Sequence, residues 1–172
     1  MFFEKFKQVK AFVFDVDGVL SDGNILVTEE GDQLRSFNIK DGYAMQLAVK
    51  KGYAFAVITG GRSIGVKKRL EGLGIADVFL AVNDKRTIFE EWLENRGLTA
   101  AHVLYMGDDI PDLENMQAVG VPTCPADAVE EIKAIACYTS PLCGGRGAVR
   151  DVIEKVMKLQ GTWHEDVSVT SN

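Results

Sequence analysis

Short apolar runs that break abruptly into glycine or charge alternate, along most of the chain, with amphipathic stretches of ten or so residues. Ala11-Phe12-Val13-Phe14 reads as a buried strand, and it opens directly onto Asp15-Val16-Asp17-Gly18-Val19. Leu20 to Gly23 is a turn signal, after which 24–27 and 33–37 flank the polar loop Thr28-Glu29-Glu30-Gly31-Asp32 in a hairpin pattern. Asp41 reads as the N-cap of a helix to about Lys51, stopped by Gly52, and Tyr53 to Thr59 is a second buried strand that breaks into Gly60-Gly61.

The alternation then continues. A helix is predicted from about Ser63 to Leu73, a strand at Val78 to Val82, and a helix from Lys85 to about Arg96 with Ile88, Phe89, Trp92 and Leu93 at core spacing. Val103 to Met106 is a fourth strand of this kind, opening onto Gly107-Asp108-Asp109, and Pro111 suits the first turn of a helix to Ala118. Strands at 121–124 and 137–139 and helices at 128–134 and 148–159 complete the pattern. It predicts right-handed βαβ crossovers and an α/β fold with a mostly parallel central sheet. One domain is expected over residues 1–160, with a protruding hairpin flap at 24–37. The polar stretch 161–172, apolar only at Trp163 and two valines, is expected to be a disordered tail.

With 172 residues and 47% hydrophobic content the chain can bury a sizeable core, which supports a single globular domain. Cys124, Cys137 and Cys143 form no CxxC pair and are odd in number, so a reducing cytoplasm is expected rather than a disulfide framework. No stretch approaches the roughly 20 apolar residues of a membrane span, and the N-terminus lacks an apolar signal core. A formal net charge of −6 argues against nucleic acid or an anionic membrane as a partner. An anionic small molecule would need local cations, and Arg62, Lys67-Lys68-Arg69, Lys85-Arg86 and Arg146 are the candidates. Lys67 and Lys68 also read simply as a solvated helix face.

Four polar stations lie at strand ends or a helix start: Asp15 with Asp17, Thr59, Lys85, and Asp108 with Asp109 and Asp112. Each alone has an ordinary explanation in turns, caps or surface charge. Together, several carboxylates facing one crevice would repel unless a divalent cation sat among them. With no His or Cys cluster, Mg²⁺ suits an all-oxygen site and leaves coordination positions open to a phosphate. Lys85, the Thr59 hydroxyl and backbone N–H groups after Asp15 and Thr59 could then cradle phosphoryl oxygens.

DVDGV, ITG, a lone Lys and GDDIPD resemble, in this order over Ala11 to Asp112, the four motifs of the haloacid dehalogenase superfamily. The resemblance implies a Rossmann-like three-layer sandwich. It implies Asp15 as nucleophile, Asp17 as general acid/base, and Thr59 and Lys85 as phosphate-stabilising groups. Mg²⁺ would be held by Asp15, Asp108 and the Asp17 carbonyl, with Asp109 and Asp112 as ligands or support. Receiver domains of response regulators use the same residue types, but there the acidic pair comes first and Lys last. No GxxxxGK[ST] occurs.

The stretch between Asp15 and Thr59 is used up by one hairpin, one helix and one strand, which leaves no room for the cap domain many of these enzymes carry. An uncapped site must act on large substrates or be closed by another subunit. ITGGRS, NDK, GDDIPD and GGRGAVR resemble the sugar-acid phosphatases of the superfamily, most closely those acting on 3-deoxy-D-manno-octulosonate 8-phosphate. This implies a homotetramer in which the hairpins pack together and subunits close each other's sites, the alternative being an ordinary sheet flap on a monomer. Gly60 and Arg62 would contact substrate, Arg62 by pairing with its carboxylate, the alternative being a surface arginine at a helix start, and Arg146 would either contact substrate or lie in a plain loop. By the same resemblance, Gly61-Arg62 favours the octulosonate over a nine-carbon nonulosonate 9-phosphate, because the phosphatases of the latter place an acidic residue and a lysine at these positions. A non-catalytic oligomerisation module is the remaining alternative, and it would have no use for so much unpaired negative charge.

Overall fold

The computed structural model describes residues 2–169. In chain order it contains α1 (Phe2–Phe6), β1 (Ala11–Phe14), β2 (Leu26–Val27), β3 (Gln33–Leu34), α2 (Ile39–Lys50), β4 (Ala54–Ile58) and α3 (Ile64–Gly72). There follow β5 (Val78–Phe79), α4 (Lys85–Arg96), β6 (Val103–Met106), α5 (Leu113–Ala118), β7 (Val121–Cys124), α6 (Glu130–Ile135), β8 (Tyr138–Thr139) and α7 (Ala148–Leu159). Six strands form one sheet in the order β5-β4-β1-β6-β7-β8, every pair parallel. The short strands β2 and β3 form a separate antiparallel hairpin.

Alternation along the strands divides the core into two. Phe12 and Phe14 of β1, Phe55 and Val57 of β4, and Leu104 and Met106 of β6 face one side, against residues of α1, α2, α3 and α7. Phe12 packs within 5.1 Å of the Phe55 ring and 5.3 Å of Tyr53, anchoring this side. Ala11, Val13, Ala56, Ile58, Val103 and Tyr105 face the other, against Phe89 and Trp92 of α4, Met116 of α5 and Ile132 of α6. The result is the predicted three-layer α/β sandwich.

The chain runs outward from β1 to β4 and β5, then returns to the opposite flank of β1 to lay down β6. That reversal opens a crevice beyond the carboxyl ends of β1 and β6, where ligands bind in open α/β sheets. Asp15 continues the side of the strand that carries Ala11 and Val13, which directs it toward the starts of α4 and α5.

Four expectations change in detail. The cap of α2 is Asn38, whose side chain accepts from the N–H groups of Lys40 and Asp41 at 2.8 and 3.3 Å. Asp41 is instead buried and accepts the Arg150 N–H at 2.8 Å, tying α2 to the first turn of α7. The hairpin strands are only two residues long, and α1 had no signal in the apolar pattern. Residues 161–169 are not a disordered tail: Trp163 packs edge-on to Tyr43 at 6.2 Å, the Tyr53 hydroxyl meets Thr162, Lys50 pairs with Asp166, and Val169 is buried. Residues 170–172 lie outside the described residues.

The loop Gly144-Gly145-Arg146-Gly147 lies directly on the turn that carries Asp17. The Gly145 N–H bonds the Val19 carbonyl at 2.9 Å, and a Cβ on Gly144 would overlap the Gly18 carbonyl oxygen. Gly144→Ala is therefore expected to cost about 2 kcal/mol or more, read as a lowered thermal midpoint. Gly72→Ala, at a helical position with open space around it, is expected to gain up to about 1 kcal/mol.

Candidate active site

Beyond the ends of β1 and β6, carboxylate oxygens of Asp15, Asp108 and Asp112 all lie within 4.8 Å of one another. Lys85, the first residue of α4, inserts its ammonium among them, 3.0 Å from Asp15 Oδ1 and 2.8 Å from Asp112 Oδ1. Its side chain and that of Asp15 are about nine-tenths buried. One ammonium thus faces three carboxylates, of which Asp15 and Asp112 are buried and Asp108 partly so.

The titration behaviour follows from that imbalance. Burial, and then the Asp112 charge, push the Asp15 carboxyl well up from its ordinary value, against the opposing pull of Lys85. Asp108 is pushed up to about 7 by burial and by the charges of Asp15, Asp112 and Asp109. Burial draws the Lys85 ammonium down, but Asp15 and Asp112 outweigh it and the net shift is upward.

Asp112 is the hub of the cluster. The buried Tyr105 hydroxyl donates to its Oδ1 at 2.9 Å, and the Asp108 N–H approaches its Oδ2 at 3.3 Å. A Cβ at Gly107 would collide with the Asp112 side chain, so the backbone before Asp108 comes this close only as glycine. Asn115 of α5, itself buried, donates to the Lys85 carbonyl at 3.1 Å and so fixes the start of α4.

The donor set fits a divalent cation. Asp108 Oδ1 is buried without a hydrogen-bond partner, and the converging ligand atoms are all carboxylate oxygens, the hard donors that Mg²⁺ and similar ions take. Asp17 lies outside this cluster: its carboxylate is forked by Arg35 of the hairpin, Nε to Oδ1 at 2.6 Å and Nη2 to Oδ2 at 3.1 Å. The Thr59 hydroxyl accepts the Gly61 N–H at 3.1 Å, and a Cβ on Gly61 would stand 3.4 Å from both that hydroxyl and Arg35 Nη2. Ala81, in the left-handed region at φ 55°, donates to the Gly61 carbonyl at 2.8 Å and holds this loop in place.

Asp15, Lys85, Asp108 and Asp112 thus form one cluster, with Asp17, Thr59 and Gly61 gathered around Arg35. Asp109 is exposed and caps the following turn through the Ile110 N–H at 2.8 Å. Gly60 and Arg62 are exposed, and Arg146 reaches Asp22 at 3.4 Å on the surface. Arg35, Tyr105 and Asn115 were not singled out from the sequence. A lone arginine closing a hairpin whose loop is otherwise acidic was the one available signal for Arg35.

A crevice at a parallel-sheet switch point, holding a buried lysine among carboxylates, is the arrangement of a metal-assisted hydrolase. The family model for haloacid dehalogenase-like hydrolases matches residues 40–126. The 3-deoxy-D-manno-octulosonate 8-phosphate phosphatase KdsC of Salmonella typhi is 35% identical over 161 residues, which are 94% of this chain and 86% of that protein. Among solved structures, the same-named phosphatase of Yersinia pestis superposes with a TM-score of 0.91 at 32% identity, over 93% of this chain and 86% of its own. That of Moraxella catarrhalis, in complex with magnesium, phosphate and KDO, gives 0.89 at 35% identity over 92% and 91%. The chain belongs to the haloacid dehalogenase-like hydrolase family. Within that family it is a phosphatase.

The raised carboxyls make the metal-free protein sensitive to pH in a defined direction. Asp15 and Asp108 bind protons more tightly folded than unfolded, so below the unfolded value of 3.8 the effect is complete, and it fades as pH rises through about 7. Asp41, raised by burial to about 6, acts in the same sense. The thermal midpoint in chelator is expected to rise as pH falls from 8 to 5.5. Asp108→Asn, which removes one of the like charges, is expected to raise the midpoint at pH 8 and flatten the dependence.

Proposed function

We propose that the chain is a cytoplasmic, Mg²⁺-dependent phosphomonoesterase that converts 3-deoxy-D-manno-octulosonate 8-phosphate to the free sugar acid and phosphate, supplying lipopolysaccharide precursor. The observation that carries this reading is Lys85 wedged between Asp15 and Asp112 beside Asp108. A nucleophile, a cation for phosphoryl oxygens and a cradle for a metal then share one crevice. The substrate comes from the names of the relatives in Salmonella typhi and Moraxella catarrhalis.

In this reading a carboxylate oxygen of Asp15 attacks phosphorus in line. The ester P–O bond breaks, its electron pair leaves on the sugar oxygen, and Asp17 gives that oxygen a proton. A water oxygen then attacks the aspartyl-phosphate, Asp17 takes its proton, and the electron pair of the acyl P–O bond returns to Asp15. Lys85, the Thr59 hydroxyl and the Gly60 backbone hold the phosphoryl oxygens. Bringing a carboxylate within 4 Å of a phosphate charge costs about 4 kcal/mol at an effective dielectric near 20, and Lys85 offsets part of it. Mg²⁺ would be held by Asp15, Asp108 and the Asp17 carbonyl, with Asp109 and Asp112 in support, and supplies the remaining positive charge when bound.

Arg62 and Arg146 are the cations assigned to the substrate carboxylate. Both are exposed, Arg62 just after the Thr59-Gly60-Gly61 loop and Arg146 in the loop that lies on the turn carrying Asp17. The site is proposed to be completed in a homotetramer packed through the hairpin, which exposes Ile25 by 41%, Leu26 by 67%, Val27 by 62% and Leu34 by 51%.

Asp15→Asn is expected to lower phosphate release by at least about 10³-fold with Mg²⁺ present, and full activity of this variant would sink the nucleophile assignment. Chelation is expected to abolish activity and added Mg²⁺ to restore it. The value of kcat/KM should be higher on the octulosonate 8-phosphate than on a nonulosonate 9-phosphate, the reverse ranking overturning the substrate. Light scattering at micromolar concentration is expected to give a tetramer mass, and a monomer would count against hairpin packing.

A further inference from the structure

Arg35 is the one hairpin side chain carried into the crevice, and what it meets there is one carboxylate. Its side chain is only 5% exposed, although the flanking residues Leu34 and Ser36 are exposed. Both nitrogens of the fork are used on Asp17, and Nη1 turns back to the Gln33 carbonyl at 3.3 Å, which fixes the guanidinium plane from within the hairpin.

The two oxygens of Asp17 are held unequally. Oδ1 takes the shorter bond from Arg35 Nε, at 2.6 Å, and lies 3.4 Å from the Ser21 hydroxyl. Oδ2 has the single longer contact, 3.1 Å to Nη2, and faces Gly61, where even an added Cβ would be 3.7 Å away. Space and weaker holding therefore coincide at Oδ2.

We propose that Arg35 is the positioning residue for Asp17: with Ser21 it pins Oδ1, so that Oδ2 is the atom that passes the proton to the departing sugar oxygen and later takes it from water. The proposal rests on the phosphatase reading and deepens it. Arg35 acts through Asp17 and touches no phosphoryl oxygen, so its loss should fall on turnover rather than binding. It should also fall on esters whose leaving oxygen needs a proton more than on those whose leaving group departs as a stable anion.

The test compares the octulosonate 8-phosphate with p-nitrophenyl phosphate, whose phenolate leaves unassisted, under single-turnover conditions with Mg²⁺. Arg35→Ala is expected to lower the maximal single-turnover rate of sugar-ester cleavage at least about tenfold with the half-saturating concentration little changed, and to slow nitrophenolate release far less. Arg35→Lys, which keeps charge but not the fork, should fall between Arg35→Ala and wild type. In an Asp17→Asn background, adding Arg35→Ala should cost nothing further. Equal losses on both esters, an effect confined to the half-saturating concentration, or full additivity with Asp17→Asn would each overturn the proposal. Circular dichroism and melting of each variant confirm that a folded protein is being compared. A wild type that releases no phosphate from either ester overturns the phosphatase reading and this proposal with it, whereas an active wild type with an indifferent Arg35 overturns this proposal alone.

Discussion

Like charges held together out of water are the constraint on which the rest of the molecule depends. Asp15, Asp108 and Asp112 converge on a single ammonium, and nothing in their own chemistry favours that. The fold imposes it. Lys85 is held by the Asn115 bond to its carbonyl, Asp112 by Tyr105, and Asp108 by a backbone approach that glycine alone permits. Removing any one support leaves the remaining charges with a way to spread apart.

The sheet delivers this crowding through the two-residue period of extended chain. Val13 and Tyr105 lie side by side in β1 and β6 and face α4 and α5. Asp15 continues the same side one step beyond Val13, and the Tyr105 hydroxyl reaches the cluster from beneath it. Shifting β1 by one residue would aim Asp15 at the layer of α2 and α7 and away from Lys85.

Most of this architecture was legible in the chain because it is local. Apolar runs four or five residues long mark β1, β4 and β6, and just beyond β1 and β6 the residues declare themselves by being charged. Lys85, Asp108 and Asp112 could be placed because each lies within a few residues of such a boundary. What could not be read depends on contacts made across the fold. Arg35 meets Asp17 from 18 positions away and from a hairpin whose strand residues Leu26, Val27, Gln33 and Leu34 are exposed. Tyr105 looks like one more core aromatic until its hydroxyl finds Asp112. Asp41 looked like a helix cap because its sequence context suits one, yet Asn38 took that place and left Asp41 to α7. Residues 161–169 are polar by composition, and only the face made by Tyr43, Tyr53 and Lys50 gives them somewhere to bind.

The bond from Asp41 to the first turn of α7 closes a loop in the mechanical sense. From the hairpin the chain passes into α2, through Asp41 to α7, back along the Gly144 to Gly147 segment, and down onto the turn that carries Asp17. Arg35 joins the same hairpin to the same carboxylate directly. A push on the hairpin therefore reaches Asp17 by two routes of different stiffness, one a pair of hydrogen bonds and the other a packed helix pair. The flap is thus less a cover laid over the site than a lever, its short arm the Arg35 bond to the turn that carries Asp17 and its long arm the exposed Leu26 and Leu34.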